Sequence, residues 1–393
     1  MPAQIALTAM PMAGAASAQG TAPAGGPAGV FTPHLETEVT ANLFGTSAYR
    51  APDRTQRFRN LYTKTEIAST LHLAEIFSLQ AAVKFEPLAG GPTNGQDRAF
   101  QDQGAFLSTA IADWQAQEWL SLRVGRFTAP FGRGYTTLPG IRLTDNASVY
   151  EIADSLGGMA TLGLLDDAEG WGEHSLSLAA FTLDTTAMSS TLITRKRFGR
   201  DDATRFSRTT RAMGGPGNTG TLDNAALALN GENIAALPGF SYHLALLSRG
   251  EGVDGTAREW GYAAGASWRV EWSEGLATTL HGEAVRLRNA GGRPTEDVAG
   301  TPAAIAATRT VTTLAAQTAW GPWRATLGWQ TETRDRSANT IPRASYIEAS
   351  VGRELALGFT ADLGWSRTRA GDASGGRSDV DAGLFLLGWR GSF

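Results

Sequence analysis

The chain has 393 residues, a formal charge of -4 and no cysteine. That length holds one large barrel or two or three smaller domains. The missing thiols exclude disulfides, zinc–thiolate centres and cysteine nucleophiles, and the small negative charge argues against a nucleic-acid binder.

Residues 1–18 read as an export signal, with an apolar stretch ending in Ala16-Ser17-Ala18 and cleavage expected after Ala18. No Lys or Arg precedes that stretch, so a complete signal would start further upstream; a plain Ala-rich leader is the alternative. Residues 19–32, rich in Gly, Ala and Pro, read as a flexible lead-in. Beyond them no apolar run reaches the roughly 18 residues of a spanning helix. A spanning strand needs only about ten residues, with one face apolar, and average hydropathy does not detect it.

From residue 33 onward the chain alternates. Val39, Ala41 and Leu43 interleave with Glu38 and Asn42; Phe77, Leu79, Val83 and Phe85 with Ser78, Gln80, Lys84 and Glu86. The alternation is sharpest late, where Trp323, Ala325, Leu327 and Trp329 oppose Arg324, Thr326, Gln330 and Glu332. Such a period of two marks strands with one apolar face. Sixteen are expected: 33–45, 60–74, 76–87, 100–113, 118–128, 157–166, 173–183, 222–231, 239–249, 258–271, 275–288, 308–320, 323–334, 343–353, 355–367 and 379–393. The last ends on Phe393, with Phe385, Leu387 and Trp389 on its face.

The connections alternate in length. Long ones span 46–59, 88–99, 129–156, 184–221, 250–257, 289–307, 335–342 and 368–378; short ones lie near Glu75, Gln115, Asp167, Asn233, Ser273, Gly321-Pro322 and Glu354. In hydrocarbon every backbone N–H and C=O needs an internal partner, which a closed cylinder supplies without leaving an edge. The fold class expected over 33–393 is therefore all-β: a transmembrane antiparallel up-and-down β-barrel of sixteen strands. It has short periplasmic turns and long outer loops, as in the bacterial outer membrane, and both termini at the periplasmic end. Trp119, Trp268, Trp272, Trp320, Trp323 and Trp389 fall beside the short turns, as an interfacial girdle requires.

After the fifth strand comes Val124-Gly125-Arg126-Phe127-Thr128-Ala129-Pro130-Phe131-Gly132, then a long connection. This resembles the Gly-Arg-Phe-x-x-Pro-Phe-Gly stretch before the third loop in porins of the phosphate-selective porin O/P type. The terminal Phe and the sixteen-strand layout resemble the same group, so the resemblance covers nearly all of the chain after the leader. It implies a homotrimer with one water-filled pore per subunit, narrowed by a third loop folded inward. Here that constriction loop is about 129–156, carrying Arg133, Arg142, Asp145, Glu151 and Asp154. The phosphate porins are more basic there, and Gly391 stands where many terminal strands carry an aromatic.

Charge also falls on the polar, lumen-facing parity. Lys64, Lys84, Arg123, Arg269, Arg309, Arg324 and Arg390 share it with Glu36, Glu38, Glu66, Glu259, Glu283, Glu332, Glu348 and Asp362. A pore selects by width and by its lining charges, so opposed rows make a mixed-sign filter for small polar solutes. Each residue has an alternative role as a wall ion pair. Arg126 falls on the apolar parity unless Gly125 makes a bulge, or turns inward beneath the third loop. All but three of the 34 basic residues are arginines, which suits an anion-handling wall and equally suits genome composition. The fourth loop concentrates Arg195, Lys196, Arg197, Arg200, Arg205, Arg208 and Arg211. It is either a contact for anionic lipopolysaccharide and solute anions or a solvated loop.

Gly215 to Gly220 matches G-x-G-x-x-G, but an arginine-rich loop precedes it and a strand follows, the wrong context for a dinucleotide site. His34, His72, His174, His243 and His281 show no metal-ligand spacing along the chain, so no metal, cofactor or catalytic residue is expected. These residues point to an outer-membrane porin for passive diffusion of small hydrophilic solutes, with a weak lean toward anions such as phosphate. The alternative is a non-conducting barrel acting as adhesin, receptor or anchor.

Overall fold

The computed structural model describes residues 31–88, 95–167, 170–194, 206–292, 308–335, 341–371 and 377–393. The export signal and most of the lead-in lie outside them. The wall strands are β1 (His34–Arg50), β2 (Phe58–Ala74), β3 (Phe77–Pro87), β4 (Gln103–Gln117), β5 (Leu120–Phe127), β6 (Ser155–Asp167), β7 (Gly172–Leu183) and β8 (Asn224–Glu232). They continue as β9 (Phe240–Arg249), β10 (Glu259–Ser273), β11 (Leu276–Arg288), β12 (Thr308–Trp320), β13 (Trp323–Asp335), β14 (Ile341–Glu354), β15 (Phe359–Gly371) and β16 (Arg377–Ser392). Each pairs antiparallel with its sequence neighbours, and β16 returns to β1 in register from Glu38↔Ser392 to Ala48↔Ala382. The ring is closed, as the alternation required. At the seam, the Thr37 N–H donates to the Phe393 carbonyl (3.0 Å) and the Phe393 N–H to the Thr37 carbonyl (2.8 Å).

All sixteen expected strands are present, with shifted ends. The fourth strand runs on to Gln117, so its turn is Glu118-Trp119 rather than Gln115. Some strands run further into the expected long connections, β1 to Arg50, β13 to Asp335 and β15 to Gly371, while β4, β8 and β10 begin later than expected, at Gln103, Asn224 and Glu259. Above the lipid belt the apolar alternation stops while the backbone ladder continues, because ladder bonds need no greasy side chain. Among the described residues, two further two-residue strands lie in the connections. Arg98–Ala99 pairs with β2 at Asn60–Leu61, and Ile193–Thr194 pairs with β4 at Gly104–Ala105.

The outward face is apolar. Leu79, Val124, Leu178, Leu244, Leu280, Leu314, Leu327, Val351 and Leu363 stand exposed around the wall, a belt that only lipid would cover favourably. At the short-turn end stand exposed Trp119, Trp268, Trp272, Trp320 and Trp323, together with Trp389; the structure adds Trp114 and Trp171 to this expected girdle. The Trp389 indole covers Gly391, where an added Cβ would come within 2.7 Å of its ring. The aromatic missing at Gly391 is thus replaced by the neighbour's ring, whose centroid lies 6.4 Å from Phe359 and 6.5 Å from Phe393.

Leu314→Arg, at mid-height on the lipid face, is expected to cost about 2–4 kcal/mol of stability, and Leu35→Arg near the rim about 0–1 kcal/mol. Urea unfolding in lipid vesicles measures both; equal costs would contradict this placement of the belt.

Candidate pore constriction

The chain leaves the wall at Phe127 and rejoins it at Ser155. Gly125 sets up the departure. Its φ is +140°, and a Cβ there would sit 2.0 Å from the Ala110 carbonyl oxygen, so only glycine fits. The ladder passes through Gly125 without a register shift, pairing it with Ile111 and Gly157. Of the two alternatives for Arg126, the bulge at Gly125 is therefore absent, and the backbone twist there accompanies the burial of Arg126. That arginine is only 2% exposed and pairs with both Asp154, at the loop's end, and Asp184, which follows β7. It pins the two ends of the loop together.

The loop holds two short helices, α1 (Gly134–Thr137) and α2 (Leu143–Ala147), and a 3-10 turn at Ser148–Tyr150. Its underside is apolar and buried: Phe131, Leu138, Leu143, Ala147, Tyr150 and Ile152. They pack on a lumen wall that is itself apolar, including Ala226, Ala228, Ala245, Leu247, Ala263 and Val285. Ile141 packs separately with Phe44, Tyr62, Leu384 and Leu386. Glycines leave room for the loop: a Cβ on Gly261 would stand 2.6 Å from Phe131, and one on Gly328 2.1 Å from Leu143.

Two wall carboxylates hold the loop's backbone. Glu283 on β11 accepts from the N–H groups of Arg133 and Gly134, each at 2.7 Å, and from the Tyr150 hydroxyl. Glu348 on β14 accepts from the N–H groups of Ile141 and Arg142 (the latter at 2.9 Å) and from the Tyr346 hydroxyl at 2.7 Å. Glu283 thus meets the N-cap and first residue of α1, and Glu348 the two residues that lead into α2, so each supplies acceptors for N–H groups without intrahelical partners.

The loop's other edge is charged and faces β2 and β3. Lys64 Nζ lies 2.5 Å from Asp145 and 3.8 Å from Glu86. Arg142 pairs with Asp145 at 3.5 Å and donates to the Thr46 hydroxyl at 3.3 Å. Lys84 pairs with Glu66 at 3.6 Å and feels the charge of Glu151 on the loop. Five of the expected residues, Lys64, Lys84, Arg142, Asp145 and Glu151, are therefore brought together where the loop's charged edge faces β2 and β3.

The others lie elsewhere. Arg123 bonds Asp113 at 2.8 Å and Arg324 bonds Asp362 through two N–H groups, both as pairs along the wall. Arg126 and Asp154 form the loop's latch. Arg133 stands near α1, within electrostatic reach of His243. In the fourth connection Arg195, Lys196, Arg197, Arg200 and Arg205 fall outside the described residues, while Arg208 donates to the Thr185 carbonyl at 2.9 Å. Sequence reasoning placed Glu283 and Glu348 on the lumen wall but missed their grip on the loop. The available signal was a glycine beside each across the ladder, Gly265 and Gly328, and it is readable only once the register is known.

No protein-family model and no curated protein matches this chain. Solved structures do. OmpF of Salmonella typhi, in complex with daunomycin, is similar at TM-score 0.57 and 12% identity, covering 91% of this chain and 97% of that one. The barrel has the porin fold. The outer membrane channel DcaP of Acinetobacter baumannii is similar at TM-score 0.52 and 8% identity, with coverage of 91% and 97%. An anion-selective porin from Comamonas acidovorans is similar at TM-score 0.50 and 12% identity, with coverage of 92% and 99%. This porin-like barrel carries its inserted loop on an apolar wall sector and faces a charged one.

Glu283→Ala or Glu348→Ala orphans two N–H groups and a tyrosine hydroxyl, at a cost of about 1–3 kcal/mol per buried donor. The expected outcome is an intact barrel whose 128–154 segment becomes sensitive to limited proteolysis. Protection equal to wild type would refute the clamp.

Proposed function

We propose that the chain forms a water-filled channel in the bacterial outer membrane for passive diffusion of small hydrophilic solutes. The observation that carries this reading is the charged edge of the inserted loop, Asp145 and Glu151, facing Lys64 and Lys84 inside a cylinder with a greasy exterior. Lys64 and Asp145 keep 32% and 19% of their side chains exposed, which supports a charged edge that meets water rather than a sealed core. The porin and channel names carried by the similar structures support the same reading. The work is done by a fixed hole and its lining, without a catalytic step or a cofactor. A homotrimer in contact with lipopolysaccharide is the assembly that the sequence resemblance implies.

Near the inserted loop's charged edge Lys64, Lys84 and Arg142 face Glu66, Glu86, Asp145 and Glu151. That balance supports a transverse field with weak selectivity. A lean toward anions such as phosphate rests on the arginine bias of the whole chain.

Stable ohmic conductance is expected from the purified protein in planar bilayers; folded protein that inserts without conducting would leave an adhesin, receptor or anchor. In a salt gradient, Arg133→Glu combined with Arg142→Glu is expected to move the zero-current potential toward cation preference. An unmoved potential would remove the loop from the filter.

A further inference from the structure

The β1–β2 register sets His34 directly opposite His72, with Glu36 two residues along on the same face. Linear spacing hid this set, because the two histidines belong to different strands. The Glu36 carboxylate reaches both rings: one oxygen lies 3.6 Å from His34 Nε2 and the other 3.6 Å from His72 Nε2. The three ligand atoms all lie within 4.8 Å of one another. We propose that His34, Glu36 and His72 bind a divalent transition-metal ion of the Zn2+ class at the short-turn mouth of the barrel.

Three observations support the site. His34 Nδ1 lies 3.1 Å from the Thr32 carbonyl, which can only accept, so Nδ1 carries the proton. In the neutral ring the Nε2 lone pair then points at a carboxylate, and a cation between two such acceptors removes the repulsion. Second, the separations are close to what a metal needs. Zinc bonds of about 2.0–2.2 Å place tetrahedral ligands roughly 3.3 Å apart, near the two 3.6 Å gaps. The rings are stacked at 4.6 Å with planes 13° apart, so binding turns them until their lone pairs converge. Their side-chain exposures, 49% for His34 and 32% for His72, leave room for that rotation. Third, two imidazoles and one carboxylate favour zinc, nickel or copper over calcium and magnesium, which prefer all-oxygen shells. Three protein ligands also leave a position open to water.

The test uses tag-free, chelator-stripped full-length barrel in detergent at neutral pH, titrated with Zn2+ by calorimetry. One ion per chain is expected, undiminished by excess Mg2+ or Ca2+, and Co2+ should give visible d–d absorption. His34→Ala with His72→Ala should weaken Zn2+ binding by about tenfold or more, and Glu36→Gln should weaken it as well. His174→Ala should leave it unchanged. His34 and Glu36 are exposed and His72 is half-buried, and circular dichroism checks that each variant keeps its sheet. No binding by the intact protein, or equal affinity in the double histidine variant, would overturn the proposal.

Discussion

The architecture of the lumen depends on two carboxylates paired with backbone N–H groups. A segment drawn inside a barrel loses the water that would otherwise satisfy its amides, and an unmet buried donor is costly. Glu283 and Glu348 meet that need at four N–H groups of the inserted segment, and each is also held by a tyrosine hydroxyl. The two acids sit on β11 and β14, with two strands between them. They therefore fix the segment at two points and set its orientation as well as its depth.

That orientation divides the interior. Toward β7 through β12 the lumen is lined with small and branched apolar side chains, which pack against Phe131, Leu143 and Ile152 much as a soluble core would. Toward β2 and β3 it carries lysines and acids. Burial of apolar surface holds the segment on one side, and ion pairs meet it on the other. Part-exposed pairs contribute little to stability, so the apolar side bears most of the structure.

The sequence made the cylinder legible because lipid outside and water inside impose a period of two over many strands. The eighth strand was harder to read, because Ala226 and Ala228 point inward where a polar residue would be expected. Those alanines are the floor on which the inserted segment lies, so the blurred pattern was itself a sign of the segment's position. Lys64 and Asp145 were both named from parity and from the resemblance, but their 2.5 Å contact depends on loop packing that no local pattern encodes. The histidine pair at the mouth depends in the same way on strand register.

The departure of β5 at Phe127 has a cost on the opposite side of the gap. It leaves β4 without a neighbour at Gly104 and Ala105, and the chain covers that bare edge with Ile193–Thr194 from a much later connection. Arg126 ties the same regions together through Asp184. The inward turn of the loop and the cover on β4's bare edge thus draw on one later stretch of chain, which acts as a splint for both.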